Sequence, residues 1–195
     1  MGAAGAEEPP GGGCRCPDRG RVCHLDAGLA ARGERILVVD LDPQGGCAVS
    51  LGISPDSLDK TVYTALMRDT GGPPHGFHLA PSNIDLAGAE VELRQMLAAE
   101  QILKCNLEPV PDKYDFILFD CSTTSLGMLT INALTTAREL LIPMSMELLA
   151  LRGLDMLART FTKIHEMTNP ELSYSSILAA KRDRRSSNSP RILVG

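Results

Sequence analysis

Two short apolar runs, each ending in aspartate, constrain this chain most. Ile36-Leu37-Val38-Val39 runs into Asp40-Leu41-Asp42, and Phe116-Ile117-Leu118-Phe119 runs into Asp120. Neither run alternates apolar with polar residues, as a strand with one wet face would. A continuous run of this length suits a parallel strand covered on both faces. Leu140-Leu141-Ile142-Pro143 and Tyr174–Ala179 read as further strands of the same kind. Helical spacing falls between them, over about Ala87–Leu107, Met128–Ala137 and Leu149–Thr168, and Asn169-Pro170 stops the last helix. On the first of these helices Val91, Leu93, Met96, Leu97 and Leu103 fall on the apolar side. Strands alternating with helices predict an α/β fold, a mostly parallel sheet with helices on both faces. In such sheets chemistry gathers at the carboxyl ends of the strands, where both acidic turns lie.

Composition limits the alternatives. With 195 residues there is enough chain for one α/β domain. Aromatic residues make up 4% and Trp is absent, which argues against base stacking as the main mode of action. A net charge of −5 argues against a general affinity for nucleic acid. No apolar run reaches the ~18 residues of a membrane span, so the cytoplasm is the expected location. Six cysteines in such a chain fit a reducing compartment better than a disulfide framework. Cys14, Cys16, Cys23 and His24 match no common zinc module in their spacing. Cys47, Cys105 and Cys121 read as small core or loop residues, and His75, His78 and His165 lack partners that suggest catalysis.

Two constellations carry chemistry. Asp40 and Asp42 at a strand end can position a metal-bound or attacking water near a phosphate. The competing reading is a capping turn built on Asp42-Pro43. Asp120, after its apolar strand, has the arrangement of a Walker B carboxylate that holds Mg²⁺, often through water. The competing reading is an N-cap for the helix after Gly127.

Four ordered blocks then carry a resemblance. Val38-Val39-Asp40-Leu41-Asp42-Pro43-Gln44-Gly45, Pro81-Ser82-Asn83-Ile84-Asp85-Leu86-Ala87-Gly88-Ala89-Glu90, Ser125-Leu126-Gly127-Met128-Leu129-Thr130-Ile131-Asn132-Ala133-Leu134 and Leu141-Ile142-Pro143 resemble the ParA/Soj partition ATPases. These are deviant Walker A P-loop proteins with MinD-like relatives. The resemblance implies that Asp42 orients the water attacking the γ-phosphate and that Asp40 supports it. It implies that Asp120 belongs to the Mg²⁺ shell, that Gln44 lies at the nucleotide, and that Glu147 and Gly153 lie near a nucleotide-dependent dimer face. It further implies ATP and Mg²⁺ as cofactors, a homodimer that binds DNA nonspecifically, a ParB-like centromere-binding partner and a nucleoid-associated, cytoplasmic location.

The chain also departs from the family pattern. The deviant Walker A loop of the family, Lys-Gly-Gly-Val-Gly-Lys-Thr-Thr, has no counterpart: no Lys precedes Lys60, and Gly-Lys-Thr occurs nowhere. The apolar strand before that loop is also missing, which predicts a break in the sheet. The loop after Asp120 is one residue longer than the family's. The expected division is a non-family segment at 1–23, a ParA-like core at 24–180 and a basic, divergent tail at 181–195, whose Lys181-Arg182-Asp183-Arg184-Arg185 reads as a solvated end. Against the family pattern, the first strand, the adenine side and the C-terminal helices are expected to be absent, which predicts a fold truncated at both ends. Nucleotide binding is expected to be impaired. The alternative is a non-hydrolysing interaction module or an inactive fragment.

Overall fold

A computed structural model describes the backbone of residues 28–30, 32–68, 79–108, 110, 113–122, 126–145 and 148–180. The segments 1–23 and 181–195 and the residue Glu147, all singled out in the sequence, lie outside the described residues, as do His75 and His78.

The chain opens with a turn closed by Gly33, whose φ of 87° lies in the left-handed region that glycine tolerates best. Strand β1 (Ile36–Leu41) follows, with all six residues buried. A short helix α1 (Gly46–Ser50) and a 3₁₀ turn (Pro55–Ser57) lead to α2 (Val62–Arg68) and β2 (Leu79–Ala80). Next come α3 (Leu86–Leu93), a second 3₁₀ turn (Ala99–Gln101) and α4 (Ile102–Leu107). The remaining elements are β3 (Phe116–Cys121), α5 (Met128–Thr136), β4 (Glu139–Ser145), α6 (Leu148–Met167) and β5 (Ser173–Ala180).

Every strand pair is parallel, as the apolar runs require. The strands form two sheets among the described residues, one in the order β2-β1-β3 and one of β4 with β5. Among the described residues the break falls between β3 and β4. Burial follows. β1 is paired on both sides and fully covered, whereas β3 is only half-buried and Phe116 at its start is exposed.

Leu37, Val39 and Leu41 pack on one face of β1 against Leu86, Ala89, Leu93, Leu103, Leu129 and Ala133. Ile36 and Val38 pack on the other face with Cys47, Ala48 and Leu79. Each large aliphatic side chain buried this way contributes about 1.5–3 kcal/mol. A third cluster, Leu134, Phe161, Ile164 and Leu172, joins α5 to α6 and the start of β5. Phe161 stacks on Tyr174 at 3.8 Å between centroids.

The helix expected over Ala87–Leu107 is broken. It ends at Leu93, and Ala98 takes φ 50°, ψ 38°, which a right-handed helix cannot contain. Val91, Met96 and Leu97, expected on its apolar side, are exposed; Leu97 is 97% exposed. The break pays off in packing, because Ala99, Leu103 and Leu107 then reach the core. Buried Asn132 fixes the new path. Its Nδ2 donates to the carbonyls of Ala99 (2.8 Å) and Met128 (2.9 Å), and its Oδ1 accepts the Leu103 N–H at 3.0 Å. No helix among the described residues is long and apolar enough to cross a membrane.

Candidate functional site

Asp40 is drawn into the core because β1 stays buried to its end, and its side chain has no solvent exposure. A buried carboxylate must be hydrogen-bonded. Its Oδ1 accepts the Asp42 N–H at 3.0 Å and its Oδ2 accepts the Cys47 N–H at 3.1 Å. The turn that brings both amides round is built locally. Asp42 Oδ1 accepts the Gln44 N–H, and the Asp42 carbonyl accepts the Gly45 N–H, each at 3.0 Å. Gly45 has φ 63°, and a Cβ there would lie 2.8 Å from Pro55 Cγ and 3.0 Å from the Ser82 carbonyl. The Ser82 hydroxyl donates to the Asp42 carbonyl, so the 81–85 turn is seated on the acidic loop.

Strand register brings the second constellation to the first. Asp120 pairs with Asp40 across β1 and β3. The Cys47 thiol donates to Asp120 Oδ2 at 3.2 Å. One ligand atom each from Asp40, Cys47 and Asp120 lies within 4.8 Å of the others. Burial raises the Asp40 pKa from 3.8 to about 6, against the amides of Asp42 and Cys47, with Asp120 adding to the rise. Burial also raises Asp120, opposed by the Cys47 thiol and assisted by Asp42. Burial, then the charges of Asp120, Asp40 and Asp42, push the Cys121 thiol up to about 12. The charged groups acting on Asp40 and Asp120 are thus other carboxylates. A cluster of this kind suits a divalent cation, and carboxylate oxygens are the donors that Mg²⁺ prefers.

The structure therefore brings Asp40 and Asp120 together with Cys47, and places Asp42 beside them through its N–H on Asp40 and its charge acting on Asp120. Gln44 is exposed, and its backbone N–H serves the Asp42 turn. Gly153 lies within α6, far along the chain from these carboxylates, and Glu147 is outside the described residues. The N-cap reading of Asp120 fails. The first amides of α5 are met instead by Glu90, at 2.8 Å from Met128 N and 3.2 Å from Leu129 N. Sequence reasoning gave no role to Cys47, Ser82 or Glu90. Cys47 lies two residues after the Asp-Pro-Gln-Gly turn, in the first turn of α1, which is the signal that could have placed it beside Asp120. His165 is structural: its Nδ1 lies 3.0 Å from the Leu172 carbonyl and its ring stacks on Phe161.

Comparison with known proteins supplies the family. A profile described as an AAA domain matches residues 20–174. The chain is 38% identical over 179 residues to an uncharacterized protein of Mycobacterium tuberculosis, covering 88% of this chain and 56% of that one. It is 38% identical over 169 residues to the sporulation initiation inhibitor protein Soj of Bacillus subtilis (83% and 66% covered). It is 40% identical over 169 residues to the chromosome partitioning protein ParA of Myxococcus xanthus (83% and 59% covered). The chain thus spans little more than half the length of the first of these relatives. Among solved structures, it is similar to cobyrinic acid a,c-diamide synthase of Mycobacterium smegmatis with bound ADP and magnesium. That likeness has a TM-score of 0.79 and 37% identity and covers 86% of this chain and 71% of that one. A plasmid partition protein of Borrelia burgdorferi shares the fold at TM-score 0.65 and 23% identity.

Proposed function

This chain belongs to the AAA-domain family of ParA/Soj-type P-loop ATPases, and from that premise we propose that it is a chromosome- or plasmid-partition ATPase core, within residues 24–180, whose nucleotide binding is impaired. The observation that carries the reading is the convergence of Asp40 and Asp120, with Cys47, at adjoining strand ends, where the charge of Asp42 also acts on Asp120. Asp120 and, beside it, Asp40 would hold Mg²⁺, which supplies charge neutralisation at a phosphate. Asp42 would orient the attacking water and Gln44 would lie at the nucleotide. ATP would draw two copies together across a face that includes Glu147 and Gly153, and the dimer would bind DNA nonspecifically and meet a ParB-like partner.

The phosphate side fits less well than the metal side. A triphosphate needs a nest of amides and a lysine, and no Lys precedes Lys60. Each missing charge-assisted hydrogen bond costs about 1.5–3 kcal/mol. The switch therefore works only at high nucleotide concentration. Sedimentation velocity at micromolar protein tests this. Monomer without nucleotide and dimer at millimolar MgATP, abolished in Asp42→Ala or Asp120→Ala, is the expected result.

The break between β3 and β4 favours a second reading, a non-hydrolysing interaction module. That reading predicts the same oligomeric state at every MgATP concentration.

A further inference from the structure

Cys47 changes the character of the acidic site. Two carboxylates alone are a hard, oxygen-only donor set, the kind that Mg²⁺ takes. Here a thiol stands with them. It is tied to both: the Cys47 N–H donates to Asp40 Oδ2 at 3.1 Å, and the Cys47 thiol donates to Asp120 Oδ2 at 3.2 Å. The three groups come from three elements, the end of β1, the first turn of α1 and the end of β3.

Packing holds this arrangement. Cys47 and Ala48 have no solvent exposure and lie against Ile36, Val38 and Leu79. Parallel pairing of β1 with β3 sets Asp120 beside Asp40. One ligand atom from each of the three residues lies within 4.8 Å of the others. In a tetrahedral zinc site, Zn–S near ~2.3 Å and Zn–O near ~2.0–2.2 Å put ligand atoms roughly 3.3–3.7 Å apart. Carboxylate shifts of about 1 Å therefore complete the set. The amides already on Asp40 need not leave, because each carboxylate oxygen carries a further lone pair. Asp40 and Cys47 are fully buried while Asp120 is half-buried, so a cation enters from the Asp120 side. A sulfur donor favours Zn²⁺ and its relatives, whereas Mg²⁺ keeps to oxygen.

We infer that Asp40, Cys47 and Asp120 form a three-ligand site for a thiophilic divalent cation of the Zn²⁺ class, with a fourth position open to water or another oxygen ligand. On binding, the Cys47 S–H bond breaks, its proton passes to solvent, and the sulfur takes the metal in its place. No oxidation or reduction accompanies the exchange. The same carboxylates cannot hold Mg²⁺ at that moment. Inhibition of a partition-ATPase site by Zn²⁺ is thus a consequence that rests on the proposed function; the ligand set does not.

The test uses the intact chain, reduced and stripped of metal, carrying Cys14→Ser, Cys16→Ser, Cys23→Ser and Cys105→Ser, so that of the cysteines only Cys47 and Cys121 remain. Co²⁺ is titrated as the spectroscopic substitute for Zn²⁺. A thiolate-to-Co²⁺ charge-transfer band in the near ultraviolet is expected, displaced by Zn²⁺, kept in Cys121→Ser and lost in Cys47→Ser. Loss of even an outer partner of a metal ligand costs about 10–100-fold in affinity. A direct ligand costs no less, so Zn²⁺ affinity should fall at least ~10-fold in Cys47→Ser. Mn²⁺, followed by electron paramagnetic resonance, reads the carboxylates: its affinity should survive Cys47→Ser and be lost in Asp120→Asn. Co²⁺ bound without the sulfur band, or a band that survives Cys47→Ser, would overturn the inference and leave the proposed Mg²⁺ site standing. A Cys47-dependent band without Mn²⁺ binding would support the inference and count against the proposed function. Binding of neither ion would overturn both. If Cys47→Ser does not fold, Asp120→Asn decides: Co²⁺ affinity should fall at least ~10-fold, and an unchanged titration overturns the inference.

Discussion

Asn132 and Asp40 are buried polar residues, and each is held by hydrogen bonds to backbone groups. Asn132 serves three backbone groups on three segments. Truncation to alanine leaves a buried N–H and C=O unpaired, each costing about 1–3 kcal/mol. Asn132→Ala should therefore lower the unfolding free energy by about 2–4 kcal/mol in urea titration. Asp40 sets a pH dependence. Its folded pKa is raised from 3.8 to about 6, so its contribution is fully present below 3.8 and is lost as pH rises through about 6. Asp115 acts in the opposite direction. Its bonds to the Arg35 guanidinium and to the Arg35 N–H lower its pKa to about 2, so its contribution is present above 3.8 and is lost as pH falls through about 2. This pair is exposed and its share is small. Thermal melts without metal should therefore be highest near about pH 4 and fall as pH rises through about 6, and Mg²⁺ should raise the melting point at pH 8 but not at pH 5. That Asp40 and Asp120 meet could be read from two apolar runs that end in Asp and pair in parallel, although each run alone also allows a capping turn. Cys47 and Glu90 were not legible, because their roles arise from a turn and from a helix 38 residues away.

Strands were the legible elements. β1, β3, β4 and β5 coincide with apolar runs to within one or two residues at most ends, although of these four only β1 is buried along its whole length. The segment 87–107 was misread because helical spacing persists through a break that only Ala98 reveals. An alanine in the left-handed region carries a penalty that glycine avoids. Ala98→Gly should stabilise the chain by about 0.5–1 kcal/mol, measured as a rise in the urea midpoint with an unchanged slope. Gly45 shows the reverse. Its positive φ and its closeness to Pro55 and Ser82 forbid a side chain. Gly45→Ala should destabilise by at least ~1–2 kcal/mol and loosen the turn that presents Asp42.

At the scale of the molecule, the sheet is in two parts, and helices hold them together. Asn169 Nδ2 donates to the carbonyls of Leu134 (2.8 Å) and Ala137 (2.6 Å), joining the end of α6 to the end of α5. Asn169→Ala should speed deuterium exchange in β4 and β5 more than in β1, because the β2-β1-β3 sheet keeps its own core. How the halves are braced was not legible, because it depends on side-chain amides meeting carbonyls at helix ends. The central claim is that the metal side of a partition-ATPase site persists while its phosphate side is weak. Titration calorimetry of the intact chain with MgATP tests it directly. The account predicts binding no tighter than about 1 mM, lost in Asp120→Ala. Saturable binding near 1 μM (about −8.2 kcal/mol), or binding indifferent to Asp120→Ala, would contradict it.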